Sequence, residues 1–247
     1  MLKTKTFKSL NNQETSFFES IEGIKIPKNK ISLLVSQSGI GKSFLILKFL
    51  MEMANKGIKS YYIAAEDEDG EIKSRMKLIF EEYKYDENKI EENLFINNEI
   101  DELTYFENNN YLFNSEANEL ISFIKKEKVE ILVIDTLDYV ANFKENDNDE
   151  ATEFIKLWKK EFIKKLGISL LFVHHLGKIK NKKLEDVLID DVRGASAIAS
   201  KVRYVLNVFN KENDKEYLYT KVIKSNVGQN NKIEKIKIIH ESKKIMF

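Results

Sequence analysis

The chain has 247 residues and 43% hydrophobic content, enough for one large α/β domain with a sizeable core. Its 40 Lys and Arg balance 40 Asp and Glu, which excludes a global basic field, so any nucleic-acid contact has to come from a local patch. The absence of cysteine excludes disulfides and thiolate metal sites and suits a reducing cytoplasm. No apolar run approaches the ~20 residues of a membrane helix, and no signal-peptide core is seen.

Residues 1–30 read as an N-terminal arm, with scattered apolar residues and the only proline, Pro27. Phe17, Phe18 and Ile21 are candidates to pack on the core or on a neighbouring subunit. A single α/β unit is expected over 31–247.

That unit opens with ISLLVSQSGIGKSFLILK, from Ile31 to Lys48: a short apolar strand, a tight turn and an amphipathic helix starting at Lys42. Residues Ser36 to Ser43 match the phosphate-binding loop at every defined position but the first, where Ser36 replaces glycine at the point where the strand is expected to leave the sheet. Gly39 and Gly41 let backbone N–H groups turn inward onto a phosphate, assisted by the positive end of the helix. Lys42 is placed to reach the β- and γ-phosphates, and the Ser43 hydroxyl to ligate Mg²⁺. The helix is expected to end near Gly57.

Ser60 to Ala65 is a buried-strand candidate that ends in Glu66, Asp67, Glu68 and Asp69, before a helix from about Gly70 to Tyr83. Acids after a buried strand suit a ligand site at the strand's carboxyl end. They equally suit the first turn of the next helix, and Glu66, closest to the strand, is the strongest site candidate. From Asp86 to Asn114 the chain is polar and Asn-rich, with one weak strand at Leu94 to Ile96 and loops otherwise.

A helix over Ser115 to Lys126 leads to Val129–Asp135, where four apolar residues run into an aspartate. Asp135, at the end of a strand buried on both faces, can hold Mg²⁺ through water. Thr136 to Glu150 reads as a polar loop, followed by a helix with Phe154, Leu157, Trp158 and Phe162 on its apolar stripe. Trp158 belongs to the core on that pattern.

Ile168 to Val173 is a further buried strand, running into His174 and His175. Alternation sends the two rings to opposite faces, which disfavours a shared metal and lets one face the nucleotide. Leu176 to Val192 reads as a long loop carrying Lys178, Lys180, Lys182 and Lys183. After Arg193 and a short helix ending near Arg203, the runs Tyr204–Phe209, Tyr217–Lys224 and Ile233–His240 alternate like an antiparallel tail, with turns at Asn213-Asp214 and Gly228-Gln229-Asn230.

Taken in order, AAED, LVIDTLDYV, LLFVHHLGK, RGASAIASKVR and VIKSNVG resemble the RecA-fold ATPases. Over about Ile31 to Lys237 the pattern is most similar to plasmid RepA-type hexameric helicases, and more distantly to DnaB-like replicative helicases. The resemblance implies a RecA-like P-loop core, a mostly parallel sheet flanked by helices with an antiparallel C-terminal tail.

It also implies ATP and Mg²⁺ as ligands. Ser38, Gly39, Ile40, Gly41, Lys42, Ser43 and Phe44 would hold the nucleotide, and Ser43 with Asp135 the metal. Glu66 matches the family's general base and His175 the residue that senses the γ-phosphate. Arg203 matches an arginine finger acting across a subunit interface. Lys224 resembles the lysine of the DnaB-like Lys-x-Arg pair, with Asn226 where its arginine would be. For Arg203 and Lys224 the plainer role is a charge on a strand edge, and for Arg193 a loop brace.

The implied partners are further copies in a hexameric ring and single-stranded DNA, held by loops 136–150 and 176–193. A non-motor RecA-fold switch and a small-molecule P-loop kinase are the competing classes. The kinase has no use for Glu66 or the antiparallel tail, and no Arg-rich lid is visible.

Overall fold

The computed structural model describes residues 14–100, 102–108, 110–140, 148–177, 179, 182–192, 196–211, 213–228 and 233–237. Among them an eight-stranded sheet carries the architecture. Its strands are β3 (Ile31–Ser36), β4 (Ser60–Ala64), β5 (Leu94–Asn97), β8 (Ile131–Asp135), β9 (Ser169–His175), β10 (Tyr204–Lys211), β11 (Asp214–Ser225) and β12 (Ile233–Lys237). The spatial order is β12-β11-β10-β3-β9-β8-β4-β5. From β10 to β5 every pairing is parallel, while β11 and β12 are antiparallel. The fold is therefore a RecA-like α/β core with antiparallel C-terminal strands.

The central strands β3, β4 and β8 are buried at every position, which is why they read as unbroken apolar runs. One face of the sheet carries α1 (Lys42–Asn55), α2 (Asp69–Tyr83), α3 (Glu87–Asn93) and a hairpin of β1 (Phe17–Glu19) and β2 (Lys25–Pro27). The other carries α4 (Ser115–Glu127), α5 (Leu137–Val140), α6 (Asn148–Trp158), α7 (Ser196–Lys201) and a hairpin of β6 (Thr104–Glu107) and β7 (Asn110–Phe113). A π-helical stretch, Lys159–Leu166, prolongs α6 until Gly167 closes it at φ 73°.

Trp158 is fully buried, stacked on Phe162 at 4.6 Å and edge-on to Phe113 and Phe172, so it is core as its stripe predicts. On the opposite face α1 is buried almost all round, its polar residues included. Lys48 pairs with Glu22 and lies 4.2 Å from the Tyr83 ring. Glu52 Oε1 accepts from the Ile21 N–H at 2.9 Å and from Lys56 at 2.6 Å. Residues of the arm thus pack on α1: Phe18 is buried, whereas Ile21 is 80% exposed.

Several sequence expectations are corrected. Ser36 does not leave the sheet; it is fully buried and lies opposite His175 in the β3–β9 ladder. The stretch from Asp86 holds α3, capped by Asp86, and the β6–β7 hairpin, in addition to the expected strand. A seven-residue helix with Ile90 as its one buried apolar side chain leaves no readable period. The supposed loop after Asp135 contains α5 and the start of α6, and the loop after Leu176 holds two 3₁₀ turns. Tyr204–Phe209 is not antiparallel to the core: β10 pairs parallel with β3 and antiparallel only with β11. Because β10 and β11 both lie inside the sheet, neither Arg203 nor Lys224 is a charge on an edge strand. Residues 1–13, 141–147, Lys178, Lys180, Arg193, Gln229, Asn230 and His240 lie outside the described residues.

Replacing Trp158 by Ala empties the centre of this aromatic cluster and should lower unfolding stability by about 3–5 kcal/mol, read from urea denaturation midpoints.

Candidate active site

The parallel register brings the carboxyl ends of β3, β9, β8 and β4 side by side. Ser36 is opposite His175, and Asp135 is opposite Ala64. Ile134 opposite Phe172 sets Asp135 level with Val173, so His175 and Glu66 each project two residues beyond it on either side.

From β3 the chain turns over Gly39 and Gly41, at φ 76° and 94°, into α1. An added Cβ would meet nothing within 4 Å at either glycine, so conformation and not crowding requires them. Gln37 and Ser38 are exposed, Ile40, Ser43 and Phe44 half-buried, and no acid stands in the first turn of α1. The turn and helix N-terminus therefore leave an open, positively polarised cradle.

Lys42 is buried beneath this turn, with Nζ 3.3 Å from His175 Nδ1. Burial pulls its pKa below the ordinary lysine value, while Asp135 and Glu66 act in the opposite direction. An ammonium at Nζ requires Nδ1 to accept, which leaves the proton on Nε2, 3.8 Å from Glu66 Oε1. Burial and then Lys42 lower the His175 pKa, in keeping with a neutral ring. His174 points the other way, with Nδ1 3.1 Å from Asp138 Oδ1, as strand alternation predicts.

Asp135 Oδ2 accepts from the Tyr62 hydroxyl at 2.9 Å, while Oδ1 is buried and makes no hydrogen bond. Burial raises the Asp135 pKa, and the neighbouring Ser43 and Tyr62 hydroxyls offset the rise. A buried carboxylate oxygen without a donor, beside a serine hydroxyl, fits a hydrated Mg²⁺, which takes few protein ligands. Among the described residues no cluster of three or more His, Asp or Glu suits a metal held by protein alone.

Glu66 Oε1 accepts from Thr136 Oγ1 at 3.0 Å. The acids after it serve the backbone. Asp67 pairs with Arg75 at 2.5 Å and its carbonyl accepts from Asn98, which also donates to Asp69. The Glu68 N–H donates to Glu71 at the start of α2. Of this acidic run, Glu66 is the member that lies beside His175 and Thr136. Tyr62, Arg75, Asn98 and Thr136 escaped the sequence reading, since a lone hydroxyl, guanidinium or amide carries no spacing signal.

Arg203 and Lys224 are not brought to this site. The Arg203 N–H bonds to Ile31 O, five residues before the end of β3, or roughly 17 Å at about 3.3 Å per residue. Arg203 is exposed, whereas Lys224 Nζ donates to Ala199 O at 2.8 Å and Ser200 O at 2.6 Å, bracing the end of α7.

No helix of the described residues is long and apolar enough to cross a membrane. No curated protein sequence matches the chain. Among solved structures, one described as an ATPase domain superposes with a TM-score of 0.66 at 14% identity, covering 87% of this chain and 83% of that one. A DnaB-like replicative helicase, described with its interactions with primase, gives a TM-score of 0.67 at 13% identity, over 86% of this chain and 57% of that one. At such identities the likeness is one of fold. Residues 2–181, well over half of the sequence, match the model of the AAA domain, and the chain belongs to that family.

Proposed function

We propose that the protein is an ATP-dependent DNA helicase or translocase of the plasmid RepA type, hydrolysing ATP between the subunits of a hexameric ring in replication of a plasmid or mobile element. Residues 1–30 are the arm and 31–247 the ATPase unit, working in the cytoplasm. The observation that carries this reading is the division of the sheet. Lys42, Asp135, Glu66 and His175 converge at its carboxyl end, while Arg203 stands at the opposite end, out of reach of its own phosphate loop.

In this reading Ser38 to Phe44 hold the nucleotide, with Lys42 on the β- and γ-phosphates. Asp135, through water, and Ser43 would hold Mg²⁺, which neutralises phosphate charge when bound. Glu66 takes a proton from water as the water oxygen attacks the γ-phosphorus and the bridging P–O bond breaks towards ADP. His175, between Lys42 and Glu66, senses the γ-phosphate.

The far end supports action in trans. A hollow of about 290 Å³ is ringed by Lys30, Lys159, Lys201 and Arg203 and lined by no acid. None of these four cations makes an ion pair among the described residues, in a chain of zero net charge. It suits the triphosphate presented by a neighbouring copy, with Arg203 as finger and Lys224 as its brace. Single-stranded DNA is assigned to the segments 136–150 and 176–193. Of their lysines, Lys182 pairs with Asp191 at 2.6 Å, and Lys183 lines a hollow of about 600 Å³ beside Gln37.

ATPase and strand-displacement assays with and without single-stranded DNA test the whole; DNA-stimulated turnover without displacement would identify a switch instead of a motor. Glu66→Gln should keep nucleotide binding and slow hydrolysis by ~10²–10⁴-fold in a phosphate-release assay. Arg203→Ala should cost ~10³–10⁵ in rate with little change in nucleotide affinity. Mixing inactive Arg203→Ala with inactive Lys42→Ala subunits should restore part of the turnover, because a sound loop then meets a sound finger. Mixed oligomers that stay inactive would place Arg203 in cis.

A further inference from the structure

We propose that Thr136 is the positioning residue for Glu66, its hydroxyl fixing one carboxylate oxygen so that the other faces the attacking water. The inference rests on the reading of Glu66 as the base. Glu66 lies two residues past the last residue of β4, on a turn, with its side chain 43% exposed. The turn's backbone is held through Asp67 by Arg75 and Asn98, but these contacts do not touch the Glu66 carboxylate. A glutamate in that position keeps several rotamers, and ordering it costs conformational entropy that a partner has to offset.

Among the described residues, two groups approach its Oε1. Thr136 Oγ1 donates at 3.0 Å, whereas His175 Nε2, at 3.8 Å, is beyond hydrogen-bond distance. The threonine is thus the one that orders the carboxylate. It is also the rigid partner of the pair. Thr136 is fully buried and directly follows Asp135, and its carbonyl accepts from the Tyr139 N–H at 3.2 Å. Leu137 and Val140 of the following turn are fully buried, and Asp138 reaches His174. A hydroxyl fixed to the scaffold and a carboxylate fixed to the hydroxyl are what a general base on a mobile side chain requires. Successive residues of one strand end would then set both the metal ligand, Asp135, and the orientation of the base.

The experiment compares Thr136→Ala with Thr136→Ser, which both lose the methyl group and differ only in the hydroxyl. Each is made alone and combined with Glu66→Gln. Turnover, nucleotide affinity by fluorescent ATP-analogue titration and melting temperature are measured for all. Misplacing a reacting group by about 1 Å costs up to ~10²-fold, so Thr136→Ala should lower kcat by roughly 10- to 100-fold. Nucleotide affinity should stay within about twofold, and the serine variant within about threefold of the parent rate. In the Glu66→Gln background, Thr136→Ala should add no further loss, because an amide takes no proton from water and its placement then no longer matters to the rate.

An unchanged kcat in Thr136→Ala would overturn the proposal, as would equal losses in the alanine and serine variants. The same fold-loss in the Glu66→Gln background would show that Thr136 acts elsewhere, and would also overturn it. Full turnover of Glu66→Gln alone would instead remove the base assignment, a separate result. If Thr136→Ala does not fold, the isosteric Thr136→Val takes its place with the same expected outcomes.

Discussion

The constraint on which everything else depends is the insertion of β9 between β3 and β8. Parallel strands share a direction, so their carboxyl ends collect on one side, where α/β sheets place their ligands. With β9 in the middle, His175 falls between the lysine after β3 and the glutamate after β4. Were β8 paired directly with β3, Asp135 would still reach the phosphate loop, but no side chain would link Lys42 to Glu66. The sheet order decides which groups stand side by side, and the apolar residues on both faces hold that order.

Charge in the site is arranged at short range and out of water. A buried ammonium, a buried carboxylate and a neutral imidazole stand within a few side-chain lengths, each perturbed first by burial and then by polar or charged neighbours: Asp135 and Glu66 for Lys42, Ser43 and Tyr62 for Asp135, and Lys42 for His175. Such groups are costly to desolvate singly, and their partners are what keep them ionised. Tyr62 serves this purpose for Asp135 by occupying one carboxylate oxygen and leaving the other without a donor. The opposite end of the sheet is built differently, from cations that have no counter-ion among the described residues. The two ends of the sheet are therefore unlike in both charge and burial.

Much of this was legible in the sequence because the candidate site groups end apolar runs. Lys42, Glu66, Asp135 and His175 each follow a strand whose hydrophobicity reveals it, and alternation alone separated His175 from His174. What stayed hidden has physical reasons. The direction of β10 depends on which neighbour it meets in space, and its alternating pattern suits a parallel strand as well as an antiparallel one. Helix α3 is too short to show a period. Tyr62 looks like its neighbour Tyr61, and Thr136 like any polar residue after a strand, until the fold brings a carboxylate to each.

The meeting of the N-terminal hairpin with α1 has a practical consequence for anyone shortening this protein. Lys48 and Glu52 sit in an apolar slot, matched by Glu22 and by the amide of Ile21. Cutting the chain back to Ile31, where the recognisable motif begins, would strip Lys48 of Glu22 and Glu52 of the Ile21 amide, leaving Glu52 its bond to Lys56. Unmatching a buried pair in this way costs about 3–5 kcal/mol, a large share of a typical domain's stability. The helix so weakened is the one that carries Lys42 and Ser43, so a trimmed version would fail at the phosphate loop although no residue of that loop had been altered.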